Sequence, residues 1–320
     1  MRPVLSVLAV LPIVTASALG WGCEGHQMIA LIARAHLTPS ASNAVDQLLR
    51  ENPIGPELSR FCKDSPNDLM ADSATWADDA RTVEKTADWH FIDIPLGAGA
   101  DSNEKDAMRW CKPAESRPGC IVTALDYEWG LLRDKGQPAR VRAKALRYVI
   151  HFVGDLSQPL HAADNRDRGG NCTAVRFFSE EKPENLHAIW DYKIIARDLD
   201  ATQATQAQYA KNLDESFARD WPSWGESKLG ESKIDILAWT WESHALASAV
   251  SYAELKPPIP IAPPTAGLAD QAACTAGRAS TAALHISIDD EYVGHALPVI
   301  REQLAKAGYR LAGLLNQTFK

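Results

Sequence analysis

Between residues 140 and 157 apolar side chains recur at helical spacing, and this run carries His151 and Asp155 four positions apart. Side chains at i and i+4 point from one helical face toward the same place. Pro159 then breaks the helix and swings His161 away from that face. One stretch, Tyr148 to His161, can therefore feed two separate cations. Asp155 can serve both, because a carboxylate has two oxygens. The plain alternative is a helix-terminal histidine beside a capping aspartate.

The same geometry repeats in Asn185-Leu-His187-Ala-Ile-Trp190-Asp191, where His161 would complete a three-ligand set. Alone, a solvent-facing His–Asp pair on a helix is ordinary. Upstream, Ala74-Thr-Trp76-Ala-Asp78-Asp79-Ala-Arg81 puts Asp78 and Arg81 three residues apart on one face. A surface acid and its salt-bridge partner are the bland readings of that pair. The stretch Trp89-His90-Phe91-Ile92-Asp93-Ile94 alternates and stops at Pro95, which predicts a short extended segment carrying an imidazole. A satisfied core histidine is the alternative for His90, and core packing for Phe91. His36, His244, His285 and His295 lie outside any ligand spacing and read as structural.

Elsewhere the pattern is mostly helical, over 26–37, 41–50, 121–134, 186–198, 230–250 and 289–316, with a further short extended stretch at Val175–Phe178. There is no repeated βαβ pattern and no Gly-rich phosphate loop. The proline-rich run from Lys256 to Pro264 precedes too little chain for a second core, so it reads as a rigid surface loop within one helical domain.

Pro3 to Leu19 is apolar, follows a single cation (Arg2) and ends in small residues, as a cleaved secretory leader does. A retained N-terminal helix is the rival. Cleavage after residue 20 would leave Trp21 first, with its free amine and its carbonyl close in sequence to His26. That would be a further N/O ligand set. No second stretch reaches the ~20 apolar residues that span a bilayer, so a secreted or periplasmic protein without a membrane anchor is expected. Loss of Arg2 takes the formal charge from -8 to -9, too acidic for a general electrostatic hold on nucleic acid. Six cysteines in an exported chain favour disulfides. Cys111 and Cys120 bracket a Pro/Gly loop and pair naturally; Cys23 with Cys62 and Cys172 with Cys274 are then a guess. A thiolate zinc site ranks low without a Cys-x-x-Cys pair.

Taken in order, these motifs give the chain a specific likeness. The Trp-Gly-x-x-Gly-His start, Trp-Ala-Asp-x-x-Arg, Trp-His-Phe-Ile-Asp, His-Phe-x-Gly-Asp-x-x-Gln-Pro-Leu-His, Gly-Gly-Asn and Leu-His-x-x-Trp-Asp resemble the zinc-dependent, single-strand-specific nucleases with 3′-nucleotidase activity, relatives of zinc phospholipase C. The resemblance implies a signal peptide over 1–20 and one mostly α domain over 21–320 with short extended segments. It also implies three Zn2+. By motif, Asp78, His90, His151 and Asp155 would hold the first; Trp21, His26 and the shared Asp155 the second; His161, His187 and Asp191 the third.

It further implies hydrolysis of single-stranded DNA, RNA and 3′-nucleotides at the 3′-oxygen, leaving 5′-phosphates, with no protein partner evident. Asp155 would join two ions that activate water, and Arg81 would offset charge on the phosphoryl oxygens. Phe91 and Asp93 match the family's base pocket, by stacking and by accepting hydrogen bonds. Asn171 matches a position near the phosphate, although a turn asparagine is the simpler reading. An exported zinc phospholipase C is the leading alternative. Against it stand Asp191, where that family has a glutamate, and the Trp-His-Phe-Ile-Asp segment.

Overall fold

A computed structural model describes residues 21–58, 62, 65–98, 104–112, 117–225, 233–264 and 267–320. The leader expected over 1–20, and the start of the 230–250 helix, lie outside them. The longer helices are α1 (Cys23–Ala35), α2 (Pro39–Glu51), α3 (Ile121–Arg133), α4 (Ala139–Ser157), α5 (Ile194–Thr202), α6 (Gln206–Phe217), α7 (Lys233–Leu246), α8 (Gln271–Ala283) and α9 (Asp290–Thr318). The predicted helices are present over the described residues, but 186–198 is a short α turn (Leu186–Ala188) and a π turn (Ile189–Lys193) leading into α5, and 230–250 is α7 followed by a π turn (Ala247–Tyr252). Capping sets several starts: the Thr38 hydroxyl accepts from Ala41 N at 3.2 Å with Pro39 in the first turn. Asp289 takes the amides of Glu291 and Tyr292, both at 3.1 Å.

Helix α4 is the axis of the molecule. From Ala145 to Ser157 each of its residues is buried, so it is enclosed on all sides rather than amphipathic. α1, α3, α7 and α9 pack around it, and α1 also lies along α9. One apolar cluster runs from Trp21 to Phe319, so the described chain shares a single core. A small sheet flanks this core: β1 (Ala174–Phe177) lies between β2 (Glu184–Asn185) and β3 (Ser287–Ile288), antiparallel to the first and parallel to the second.

The expected strand at 89–94 is extended but forms no ladder. A 3-10 turn (Ala87–Trp89) precedes it, and its amides pair with the turn after α4: Ile92 N donates to His161 O at 2.8 Å and Asp164 N to Ile94 O at 2.8 Å. These bonds lock His90 and His161 onto neighbouring strands of backbone. Two helices, α6 and α8, were not legible as apolar periodicity. α6 buries only Tyr209, Ala210 and Leu213, and α8 buries nothing fully. Their starts are set instead by the Thr205–Gln208 capping box and by Asp270, which accepts from Ala273 N at 2.7 Å.

The segment 256–264 is a surface loop, pinned by Asn165 through Pro260 O at 3.0 Å and Ala262 N at 2.7 Å. Disulfides join Cys23 to Cys62, Cys111 to Cys120 and Cys172 to Cys274, the three pairs expected. Among the described residues no helix is long and apolar enough to cross a membrane.

Candidate metal centre

His151 sits one turn before Asp155 on α4, its Nε2 3.1 Å from Asp155 Oδ2. Its Nδ1 donates to Ala74 O at 2.7 Å, which leaves a lone pair on Nε2 in the neutral ring. His90 brings Nδ1 to 2.9 Å from the same carboxylate oxygen and 3.1 Å from His151 Nε2. Asp78, on the short helix Trp76–Ala80, completes this group with Oδ1 3.8 Å from both imidazoles. Neither Asp78 oxygen has a hydrogen-bond partner, although the side chain is buried.

The other oxygen of Asp155 looks the opposite way, 3.2 Å from His26 Nε2 on α1. His26 stacks on His151 with ring centroids 4.0 Å apart. Gly154 permits this approach, since a Cβ there would stand 2.7 Å from His26 Nδ1. Trp21 is fully buried at the head of α1, and Gly22 N donates to Asp191 O at 2.8 Å. That bond stitches the start of the described chain beside the helical turn bearing Asp191. The ligand atoms of His26 also gather with those of Asp78 and His151, so His26 borders the first group as well as Asp155.

A second pocket of donors holds His161, His187 and Asp191. α4 ends at Ser157, and the 3-10 turn Pro159–Ala162 carries His161 off its axis, as the proline predicts. His161 Nδ1 donates to His90 O at 2.6 Å and His187 Nδ1 to Gly169 O at 2.5 Å. Gly169 has a φ of +60°, and a Cβ would fall 2.4 Å from Leu160 O, so only glycine can present its carbonyl in this way. Asp191 lies in a π-helical turn (Ile189–Lys193), with Oδ2 3.3 Å from His187 Nε2.

The donor chemistry decides whether cations fit. With both Nδ1 protons committed to carbonyls, neutral His161 and His187 face each other through bare Nε2 atoms 3.1 Å apart. Two lone pairs at that distance repel, and a cation between them removes the conflict. Imidazole and carboxylate donors in closed, mostly apolar surroundings suit zinc-like ions. Asp78 and Asp155 oxygens without hydrogen bonds point the same way.

Electrostatics agree with that need for positive charge. Burial, then the neighbouring His151, pushes His26 down to about 4. Burial and His161 push His187 down to about 3. Burial opposes charge on His151 too, but the Asp155 and Asp78 carboxylates overcome it and lift the ring to about 9. Asp155 is held well below the usual carboxylate range by His151 and His161 despite its burial, whereas burial raises Asp191.

Around this centre, Arg81 places Nη1 3.7 Å from Asp78 Oδ1. Phe91 is 37% exposed, so it is not a core residue, and its ring stands at the surface next to buried His90. Asp93, two residues on, lines a cleft of about 180 Å³. Asn171 donates Nδ2 to Arg168 O at 2.8 Å, the ordinary duty of a turn asparagine.

The model of the S1/P1 nuclease family matches residues 21–320. The chain belongs to the S1/P1 nuclease family. It is 29% identical to Endonuclease 2 of Arabidopsis thaliana over 94% of this chain and 91% of that one. It is 28% identical to Nuclease S1 of Aspergillus oryzae (93% and 91% covered) and 26% identical to Nuclease P1 of Penicillium citrinum (93% and 97%). This S1/P1 family member is thus a hydrolase acting on nucleic acid, and its mostly α fold with a small sheet is the one the resemblance implied. The phospholipase alternative gains nothing from these relatives.

Sequence reasoning passed over the residues that orient the ligands. Gln158 donates Nε2 to Asp191 Oδ1 at 2.6 Å, and Gln158 Oε1 caps the turn at Leu160 N. His244 Nδ1 donates to Ala162 O at 3.0 Å, bracing the turn that carries His161. The sequence signals for Gln158 were its place in the His-Phe-x-Gly-Asp-x-x-Gln-Pro-Leu-His motif and its position before Pro159, where a new turn needs a cap.

Proposed function

We propose that this nuclease is an exported zinc enzyme that cuts single-stranded DNA and RNA to 5′-phosphate products and removes the phosphate of 3′-nucleotides. The observation that carries the reading is the two-sided carboxylate of Asp155, facing His90 and His151 through one oxygen and His26 through the other. Asp78, His90, His151 and Asp155 would hold one Zn2+. His26 and Asp155 would hold a second, together with the amine and carbonyl of a Trp21 freed by removal of residues 1–20. His161, His187 and Asp191 would hold a third. Ions held there supply Lewis acidity toward the phosphoryl group and the means to activate water near neutral pH.

The chain's own groups do the rest. Arg81 lies beside Asp78 and presents a planar fork suited to equatorial phosphoryl oxygens. Phe91 offers an exposed ring on which one base can stack, and Asp93 offers hydrogen-bond acceptors to its polar edge. Asn171 lies on the turn that holds His187 through Gly169 and would contact phosphate. Because the donors are buried, a base must leave its helical stack for its phosphate to reach them. That requirement favours unpaired strands.

The test is incubation of mature protein, with zinc measured by elemental analysis, with single-stranded DNA, RNA, 3′-AMP and phosphatidylcholine. Strand cleavage with 5′-phosphate ends and release of adenosine are expected. Release of phosphocholine without nucleotide cleavage would overturn the reading. N-terminal sequencing of the exported protein should begin at Trp21.

A further inference from the structure

We infer that the π turn Ala247–Tyr252 sets the grip of the third metal site, with Tyr252 and Tyr292 as positioning residues that hold His187 and Asp191 from outside the donor set. The inference rests on the third zinc proposed above and adds the residues that govern its affinity.

The first relay runs from Tyr252 to His187. Tyr252 is buried, and its hydroxyl donates to Asp167 Oδ1 at 2.8 Å. Asp167, also buried, is the hub of the turn that presents Gly169 O. The same oxygen accepts the amides of Asn165 at 3.2 Å and Gly170 at 3.0 Å, and Oδ2 accepts the Thr173 hydroxyl at 2.5 Å. The turn needs that hub. Arg166, Arg168, Gly169 and Gly170 all have positive φ, from +56° to +84°, and a non-glycine residue holds such backbone only where its surroundings fix it. Burial and the Asp167 carboxylate push the Tyr252 hydroxyl well above its ordinary pKa, so it stays a proton donor.

The second relay runs from the adjacent residue to Asp191. Ser251 O accepts the Tyr292 hydroxyl at 2.8 Å, and Trp190 Nε1 donates to that hydroxyl at 2.8 Å. Trp190 is fully buried and precedes Asp191 in the π turn Ile189–Lys193. Two neighbouring residues thus brace two ligands of one ion along separate routes. A metal-bound imidazole is oriented by the acceptor of its other N–H, which for His187 is Gly169 O. Slackening that carbonyl, or the turn bearing Trp190, therefore weakens metal binding with the donor atoms unchanged. His151 takes its bearing from Ala74 O instead, so the first metal group lies outside both relays.

In the test, zinc-loaded mature protein is equilibrated with graded chelator, and bound zinc is read by elemental analysis. Tyr252→Phe and Tyr292→Phe each remove one hydroxyl and keep the ring. Each should release one zinc at about 10–100-fold higher free zinc than the wild type does, while the other two zincs leave as before. Tyr209→Phe is the control for general damage. Its buried hydroxyl bonds Asp198, outside both relays, so the unfolding temperature should fall while zinc is held as in the wild type. In His187→Ala, which lacks the third zinc, Tyr252→Phe should shift zinc release no further. Saturating zinc should restore kcat in both relay variants, which a damaged fold would not allow. Wild-type zinc release in both variants, or equal weakening of all three ions, overturns the inference and leaves the functional reading standing. If His187→Ala keeps the full zinc content of the wild type, the third site itself falls, and the inference with it.

Discussion

His161 and His187 meet through Nε2 atoms 3.1 Å apart while each commits its Nδ1 proton to a backbone carbonyl. Without a cation this contact is repulsive, so bound metal should stabilise the fold as well as serve the chemistry. Chelation should lower the unfolding temperature, and added zinc should restore it. With free metal at about 1,000 times its dissociation constant the linkage is worth about 4 kcal/mol. His187→Ala should lose one zinc by elemental analysis and most of the activity.

Gly154 offers a test in which two effects have opposite signs. Helix propensity favours alanine over glycine in a helix interior by about 1 kcal/mol. The new Cβ would press on His26 Nδ1 from 2.7 Å, with Ile29 Cδ1 only 3.3 Å away. Overpacking of this kind costs about 1–3 kcal/mol, so Gly154→Ala should destabilise the protein in urea titrations. It should also weaken the zinc shared by His26 and Asp155.

Phe91→Ala removes an exposed ring rather than a core one. The loss of stability should be smaller than for a core phenylalanine, since the residue is already 37% exposed. The KM for single-stranded substrates should rise by about tenfold, within the range expected for one base–aromatic stack. A large loss of stability with unchanged KM would mean that the ring serves packing.

Glu128 gives a pH-dependent prediction away from the centre. It is buried on α3, and burial pushes its carboxyl up to about 7, only partly relieved by Lys144. The folded state therefore holds the proton more tightly than the unfolded chain. Its stability is intact below the unfolded value of 4.5 and falls as pH rises through about 7. Glu128→Gln should raise unfolding stability near pH 8 by on the order of 3 kcal/mol, with most of that gain gone near pH 5.

How far the sequence reveals such a centre depends on the range of the contacts. His151 with Asp155 and His187 with Asp191 were readable because helical spacing alone sets their directions. The departure of His161 from α4 followed from Pro159. Asp93 and Phe91 were readable as a pair on one extended segment, but the cleft that Asp93 enters is made by residues from 109–112, 164–166 and 262–268 that no local pattern joins. Gln158, Gly169 and Ala74 act by holding a ligand ring or carboxylate from elsewhere in the chain, so their roles appear only once the backbone has folded. α8 was invisible for a related reason: it is fastened by Asp270, Cys274 and the bond from Ala174 N to the Thr281 hydroxyl at 2.8 Å, not by an apolar stripe.

The bridge from Cys172 to Cys274 reaches further than its two sulfurs. Cys172 belongs to the same tight turn as Gly169, whose carbonyl sets the bearing of His187, and the bridge ties that turn to α8, which has no buried stripe of its own. Electron supply outside the molecule thus bears on whether one imidazole inside it points true. A thiol-rich medium would slacken the mooring of that turn, and an oxidising one keeps it taut.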